Sequence, residues 1–193
     1  MSITKHLIAL TAALGLCGPA SAVVMLGSSS APTSVVADYS TAGQVSLDLD
    51  LYKLGGATLN FALEAADLNG PLGMNALVRN LAGAGIQHFT FSLNNIRYAT
   101  PGSVTPTFGT LAQVGNTGTV ATIDFALPEM AEFHFGNPLA TATGVDWFLD
   151  TTGMNAGDVF SITAQVPEPG SLPLLLSGLA LAGLVARRRQ SQR

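Results

Sequence analysis

Apolar and polar residues alternate along several short stretches of this chain. Every second side chain is apolar in residues 45–51, and residues 57–63 and 89–93 repeat the alternation. A period of two is that of a β-strand with one face buried. Further candidate strands cover residues 96–99, 107–114, 119–127, 131–135, 145–149 and 159–166. The pattern therefore predicts an all-β domain.

Turn-forming residues separate these stretches. The Leu-Gly-Gly sequence at 54–56 predicts a hairpin that joins the strand at 45–51 to the strand at 57–63. Other turns are expected at residues 94–95, 116–118 and 155–158. About eight short strands with regularly spaced turns favour a single β-sandwich of the jelly-roll or immunoglobulin-like kind over residues 34–166.

One stretch departs from the alternation. Residues 75–81 predict a two-turn helix, with Asn75 as its N-cap and Gly83 just past its end. The sequence does not reveal the strand order.

The first 22 residues have the three parts of a secretory signal peptide. A short basic region precedes an apolar stretch over residues 7–18, and Ala20 and Ala22 occupy the small positions before a cleavage site. Cleavage by signal peptidase is expected after Ala22. Residues 23–33 are small and serine-rich, which predicts a flexible leader.

Two alternatives remain for the N-terminal segment. It could be an uncleaved membrane anchor, although its apolar run is short beside the roughly 20 residues of a span. It could also carry a lipid on Cys17, the only cysteine, although Leu16 stands where a lipobox needs a small residue. If cleavage follows Ala22, the exported domain has no cysteine, which excludes disulfides, zinc–thiolate sites and a cysteine nucleophile.

The C-terminus combines a proline motif, an apolar segment and a basic cluster. The motif consists of Pro167, Glu168 and Pro169. An uncharged stretch over residues 172–186 follows, and as a helix it would be about 22 Å long. This stretch predicts a transmembrane helix that starts near residue 171, with the arginines after it snorkelling to the membrane surface. The alternative is a helix buried in a globular core. The basic cluster consists of Arg187, Arg188 and Arg189.

Charge predicts the topology. Basic clusters stay on the cytoplasmic side of a membrane, so the arginines would retain the tail inside while the signal peptide exports the domain.

Together these C-terminal parts resemble the PEP-CTERM sorting signal of Gram-negative bacteria, here within residues 167–193. The resemblance implies a substrate of an exosortase, which would recognise the Pro-Glu-Pro motif and remove the helix. It implies a transient stay in the inner membrane, then the cell surface or the extracellular space. Association with exopolysaccharide and biofilm matrix is also implied. The Leu-Pro-x-Thr-Gly motif of the Gram-positive sortase signal is absent.

Residues 23–166 are acidic, with eleven acidic and three basic side chains and a net charge of −8. Such a domain avoids polyanions, so nucleic acid is not an expected partner.

The domain offers few candidates for chemistry, and it is expected to be neither an enzyme nor the holder of a cofactor. No Gly-x-Ser-x-Gly turn accompanies its two histidines, His88 and His134. Alternation places some acidic residues on shared strand faces, where they could bind a metal ion or simply be solvated. These candidates are Glu132 with His134 for a metal ion and Asp48 with Asp50 for calcium. Elsewhere in the domain, calcium could also be bound by the aspartates Asp146, Asp150 and Asp158.

Trp147 is the only tryptophan of the chain. With Phe148 it could form a sugar-stacking platform, which would make the domain a carbohydrate-binding module for exopolysaccharide. Its other interpretation is a core residue. A hydrolase is a third hypothesis, although no carboxylate pair stands out.

Overall fold

The computed structural model describes residues 23–30 and 34–167. These residues form thirteen strands and one short 3₁₀ helix, Ala65–Leu68. The predicted all-β class is confirmed. In chain order the strands are β1 (Val24–Ser30), β2 (Ser34–Asp38), β3 (Gln44–Leu51), β4 (Gly56–Ala62), β5 (Leu72–Asn80), β6 (Ile86–Asn94), β7 (Arg97–Thr100), β8 (Val104–Pro106), β9 (Thr110–Asn116), β10 (Val120–Glu129), β11 (Glu132–Phe135), β12 (Trp147–Asp150) and β13 (Val159–Gln165).

The strands divide into two sheets. Sheet A has six strands in the order β1-β4-β13-β6-β10-β9, and every neighbouring pair is antiparallel. Sheet B has the path β2-β3-β5-β11-β8, and β12 joins it by pairing with both β5 and β7. Within sheet B the β3–β5 pair is parallel.

The two sheets enclose one apolar core, an arrangement consistent with a β-sandwich. Aromatic rings bridge the sheets. The rings of Phe89 and Phe91 on β6 lie 5.1 Å and 4.7 Å, between centroids, from those of Phe133 and Phe135 on β11. Alternation explains these positions, since the residues two apart on each strand point to the same side. The choice between the jelly-roll and immunoglobulin-like types stays a prediction.

The helix predicted at 75–81 is wrong, because residues 75–80 belong to strand β5. This strand is central in sheet B, with β3 on one side and β11 and β12 on the other. Eight of its nine residues are buried, so both of its faces are covered. A strand buried on both faces loses the alternating pattern and cannot be told from a buried helix by its period.

The hairpin predicted across residues 54–56 is also wrong. Strand β3 lies in sheet B and β4 lies in sheet A, so this connection crosses between the sheets. The packing at the end of this connection nevertheless requires a glycine, Gly56. A Cβ added at Gly56 would lie 2.9 Å from the carbonyl oxygen of Ala164, because β4 passes close to β13 there.

The flexible leader predicted for residues 23–33 is corrected over its first part. Residues 24–30 form β1 and pair with β4, which would otherwise be the edge of sheet A. Val23 and the half-buried Met25 pack against the core, which stabilises this strand.

The turns predicted at 94–95, 116–118 and 155–158 are confirmed. Asn95 has a φ of 64°, and Gly118 has a φ of 88° in the turn between β9 and β10. Asp158 closes the last turn, donating its N–H to the carbonyl of Asn155 at 3.1 Å.

No helix within residues 23–30 and 34–167 has the length and apolar character that a membrane crossing requires. The predicted signal peptide and transmembrane helix lie outside the described residues.

Candidate functional site

The C-terminal sorting motif begins where the folded domain ends. Strand β13 lies between β4 and β6, and Val166 directly after it is 3% exposed. The N–H of Val166 donates to the carbonyl oxygen of Gly55 at 2.8 Å. Pro167 follows, half-buried, as the last described residue. Because proline has no N–H to donate, Pro167 cannot extend this backbone hydrogen bonding beyond Val166.

The remaining sorting and processing residues lie outside the described part of the chain. They are Ala20, Ala22, Glu168, Pro169, Arg187, Arg188 and Arg189.

The candidate calcium ligands Asp48 and Asp50 share a face of β3, as predicted, but both accept hydrogen bonds from Arg79. The guanidinium Nη2 lies 2.6 Å from Asp48 Oδ2, and Nη1 lies 2.8 Å from Asp50 Oδ1. The hydrogen bonds to these two carboxylates raise the pKa of Arg79. Arg79 therefore supplies the positive charge that a cation would otherwise bring.

Glu132 and His134 also share a strand face, on β11. Nε2 of His134 lies 3.9 Å from Oε1 of Glu132 and has no hydrogen-bond partner. The glutamate is 4.0 Å from Nε of Arg79, so the pair adjoins the arginine cluster. On β6, His88 is hydrogen-bonded to Asp124 of β10, its cross-strand neighbour in sheet A.

Asp146, Asp150 and Asp158 do not form one cluster, because each accepts a different backbone N–H group. Asp146 accepts the N–H of Asn137 at 2.7 Å and the side-chain amide of Asn75 at 3.1 Å. Asp158 accepts the N–H of Asn155 at 2.8 Å.

Asp150 accepts the N–H of Thr152 at 2.9 Å. Hydrogen bonds from the Thr152 side chain and N–H, with the charge of Arg97, lower the pKa of Asp150. In the part of the chain that the structure describes, no group of three or more His, Asp or Glu side chains is arranged to hold a metal ion.

Trp147 is a core residue, which confirms the core interpretation of this side chain over the sugar-stacking platform. Its side chain is fully buried, and its ring stacks on Phe135 with centroids 4.5 Å apart and an interplanar angle of 13°. The ring of Tyr98 meets it edge-on at 5.2 Å, and its Nε1–H donates to the carbonyl oxygen of Ser103 at 3.2 Å. A sugar ring could not reach this indole without opening the domain.

The burial of Trp147 predicts the fluorescence of the whole protein, since no other tryptophan contributes. We expect blue-shifted emission that iodide and acrylamide quench weakly in the folded state and strongly in urea. Emission near that of free tryptophan, equally quenched with and without urea, would contradict the burial.

Two buried carboxylates had no part in the sequence predictions. Glu129 is fully buried, and its Oε2 accepts the N–H groups of Thr107, Phe108 and Gly109 at 2.9, 3.0 and 2.9 Å. Its Oε1 accepts the N–H of Ala131 at 2.9 Å.

The second buried carboxylate, Asp67, is 1% exposed and accepts the N–H groups of Gly43 and Glu64, each at 2.8 Å. The available signal for Glu129 was the proline before it, since a proline inside a strand pattern marks an irregular end. Both acids hold loops in place through backbone N–H groups.

A groove of about 450 Å³ lies where β6 leads into β7. Arg97 and Asp150 are its charged side chains, and no aromatic residue lines it. It therefore lacks an aromatic stacking platform.

Comparison with known families identifies the C-terminal segment. The family model of the PEP-CTERM protein-sorting motif matches residues 165–189. The chain therefore carries the sorting signal of an exported protein that is sorted through its C-terminus, and the resemblance seen in the sequence is confirmed. The matched residues run from the end of β13 to the last residue of the arginine cluster. Comparison with curated proteins and with solved structures finds no match.

Proposed function

We propose that this chain is a non-enzymatic surface or extracellular-matrix protein whose C-terminal segment an exosortase recognises and removes. The observation that carries the proposal is the sorting-motif match at residues 165–189, which begins at the last residue of strand β13. The domain would be cargo, and the motif would determine its destination.

The residues of the motif suit recognition by a membrane protease. Pro167 and Pro169 disfavour regular helix and keep the backbone extended, as a protease cleft requires. Glu168 places one negative charge between them. Arg187, Arg188 and Arg189 would keep the tail on the cytoplasmic side, so that the motif lies at the outer surface of the inner membrane.

Substitutions in the motif test this proposal. Glu168→Ala and Pro169→Ala are expected to leave the full-length chain in the inner membrane, because each removes a group that the protease reads. The measurement is the mass of the C-terminus in the membrane and extracellular fractions. The native protein is expected outside the cell, ending near Pro169.

Glu132→Ala is the matched control, since it removes a half-exposed glutamate of the domain and leaves the motif intact. It is expected to be processed like the native protein. Normal processing of both motif variants would refute the sorting roles. A native chain that still ends at Arg193 in the membrane would instead indicate a simple anchored protein.

Association with exopolysaccharide is the finer part of the proposal, and the outer face of sheet A supports it. This face presents an array of hydroxyl and amide groups, among which the Thr58 and Thr163 hydroxyls lie 2.9 Å apart. Its titratable side chains are His88 and Asp124, which pair with each other. Such a surface suits hydrogen bonding to a neutral polymer, and it replaces Trp147 as the candidate contact. The members of the array are Thr58, Asn60, Thr90, Ser92, Thr122, Ser161 and Thr163.

A further inference from the structure

The edges of sheet B carry the features by which proteins prevent edge-to-edge pairing. Strand β2 has five residues and includes Asp38. Strand β7 has four residues, starts with Arg97 and is followed by Pro101. Strand β8 has three residues and ends with Pro106. Short length, charge and proline each make a strand a poor partner for another chain.

The edges of sheet A lack these features. Within the described residues its edges are β1 and β9, each seven residues long and free of charged residues and proline. No residue of β9 is buried. Strand β1 has one irregularity, a register shift between Met25 and Gly27, but residues 27–30 pair with β4 without interruption. In β9 the register with β10 shifts twice between Thr110 and Gln113, but residues 113–116 pair with β10 without interruption.

The strand directions allow the two edges to meet. Sheet A has six strands, and each is antiparallel to its neighbour. Strands β1 and β9 therefore run in opposite directions. If a second copy is placed beside the first without inversion, its β1 lies antiparallel to β9 of the first copy. The outer face of sheet A in one copy then continues into the outer face in the next copy. The antiparallel pattern also continues across the junction.

Charge does not oppose this contact, although the domain is acidic as a whole. In the strands of sheet A the ionisable side chains are the paired His88 and Asp124 and the buried Glu129. The two edge strands have none. Copies placed edge to edge would bring uncharged strands together, whereas an approach through sheet B would involve Asp38 or Arg97.

We propose that copies of this chain associate head to tail, with β1 of one copy pairing with β9 of the next to extend sheet A. Such a contact uses different surfaces on the two partners, so it leaves a free edge at each end and forms open chains. The inference does not rest on exosortase processing, because both strands belong to the folded domain.

A charge placed on β9 tests the proposal. Val114 is 37% exposed, and Val114→Lys adds to β9 a charged side chain of the kind that hinders pairing at edge strands. The matched control is Val35→Lys, which changes a 56% exposed valine on β2, an edge of sheet B. In sedimentation velocity of the full chain in one detergent, we expect species beyond the monomer for the native chain and for Val35→Lys. These species should be lost in Val114→Lys, with circular dichroism unchanged.

Cross-linking gives a second test that does not depend on the lysine variant. In a Cys17→Ser background, chains with Ser29→Cys are mixed with chains with Gln113→Cys and treated with a short bismaleimide. Both positions face the outer side of sheet A, through their partners Thr58 and Asp124. We expect cross-links in the mixture, none in either variant alone, and a ladder when one chain carries both cysteines.

Three results would overturn the proposal. They are a native chain that stays monomeric at all concentrations, association that Val114→Lys leaves intact, and cross-links that form within either single variant but not in the mixture. Sedimentation and cross-linking report association, while the mass of the C-terminus reports processing, so the failure of one proposal is distinguishable from the failure of the other.

Discussion

Replacing Trp147 with alanine is expected to lower the free energy of unfolding by about 4 kcal/mol. The side chain is fully buried, and its removal would leave a cavity between the rings of Phe135 and Tyr98. It would also leave the carbonyl oxygen of Ser103 without the indole donor. Urea unfolding followed by circular dichroism measures the loss without needing tryptophan fluorescence.

Phe108→Ala is the control for this substitution, because it removes an aromatic ring that is 71% exposed. It is expected to change the free energy of unfolding by no more than about 0.5 kcal/mol. Trp147→Phe should fall between the two, since it keeps an aromatic ring but loses the hydrogen bond. Equal stability of the native chain and Trp147→Ala would show that the ring stack contributes nothing to the fold.

Replacing Glu129 with alanine is expected to cost about 3 kcal/mol, although the residue takes no part in the core packing of apolar side chains. The buried carboxylate accepts four backbone N–H groups, from Thr107, Phe108, Gly109 and Ala131. Its removal takes this acceptor from the N–H groups of Phe108, Gly109 and Ala131, whereas the N–H of Thr107 keeps the carbonyl oxygen of Glu132 at 3.1 Å. Glu132→Ala, three residues later and half-exposed, is expected to change the stability by no more than about 0.5 kcal/mol.

The same carboxylate predicts a dependence of stability on pH. Burial raises the pKa of Glu129, but the four N–H donors outweigh it and hold the pKa below its ordinary value of 4.5. The ionised form is therefore favoured by folding. Its contribution is complete above pH 4.5 and is lost as the pH falls through the lower pKa of the folded state. The stability difference between the native chain and Glu129→Gln should shrink over that acidic range; a constant difference would contradict the assignment.

The sequence predicts strands well where one face is buried and the other is solvated. Strands β3, β4 and β13 show strict alternation, and residues 45–51, 57–63 and 159–166 mark them closely. Strand β5 was missed because both of its faces are covered. The failed hairpin has a different cause, since a glycine turn is compatible with a return to the same sheet and with a crossing to the other.

The cluster of Asp48, Asp50 and Arg79 was predicted only in part, because alternation indicates contacts within one strand and not between strands. Spacing by two indicates that Asp48 and Asp50 share a face, but Arg79 comes to them through the parallel pairing of β3 with β5. No local pattern encodes that pairing. The sorting motif could be predicted from the sequence, because its residues are consecutive in the chain and its recognition needs no pairing between distant segments.

The junction at Pro167 has a mechanical consequence. Strand β13 is hydrogen-bonded along both sides, to β4 and β6, and Val166 continues into the core. A pull on the chain from its C-terminal side would therefore load two ladders in shear at once, rather than unzip a terminal edge strand one bond at a time. The domain is attached through one of its inner strands, where a sheet resists tension along the chain.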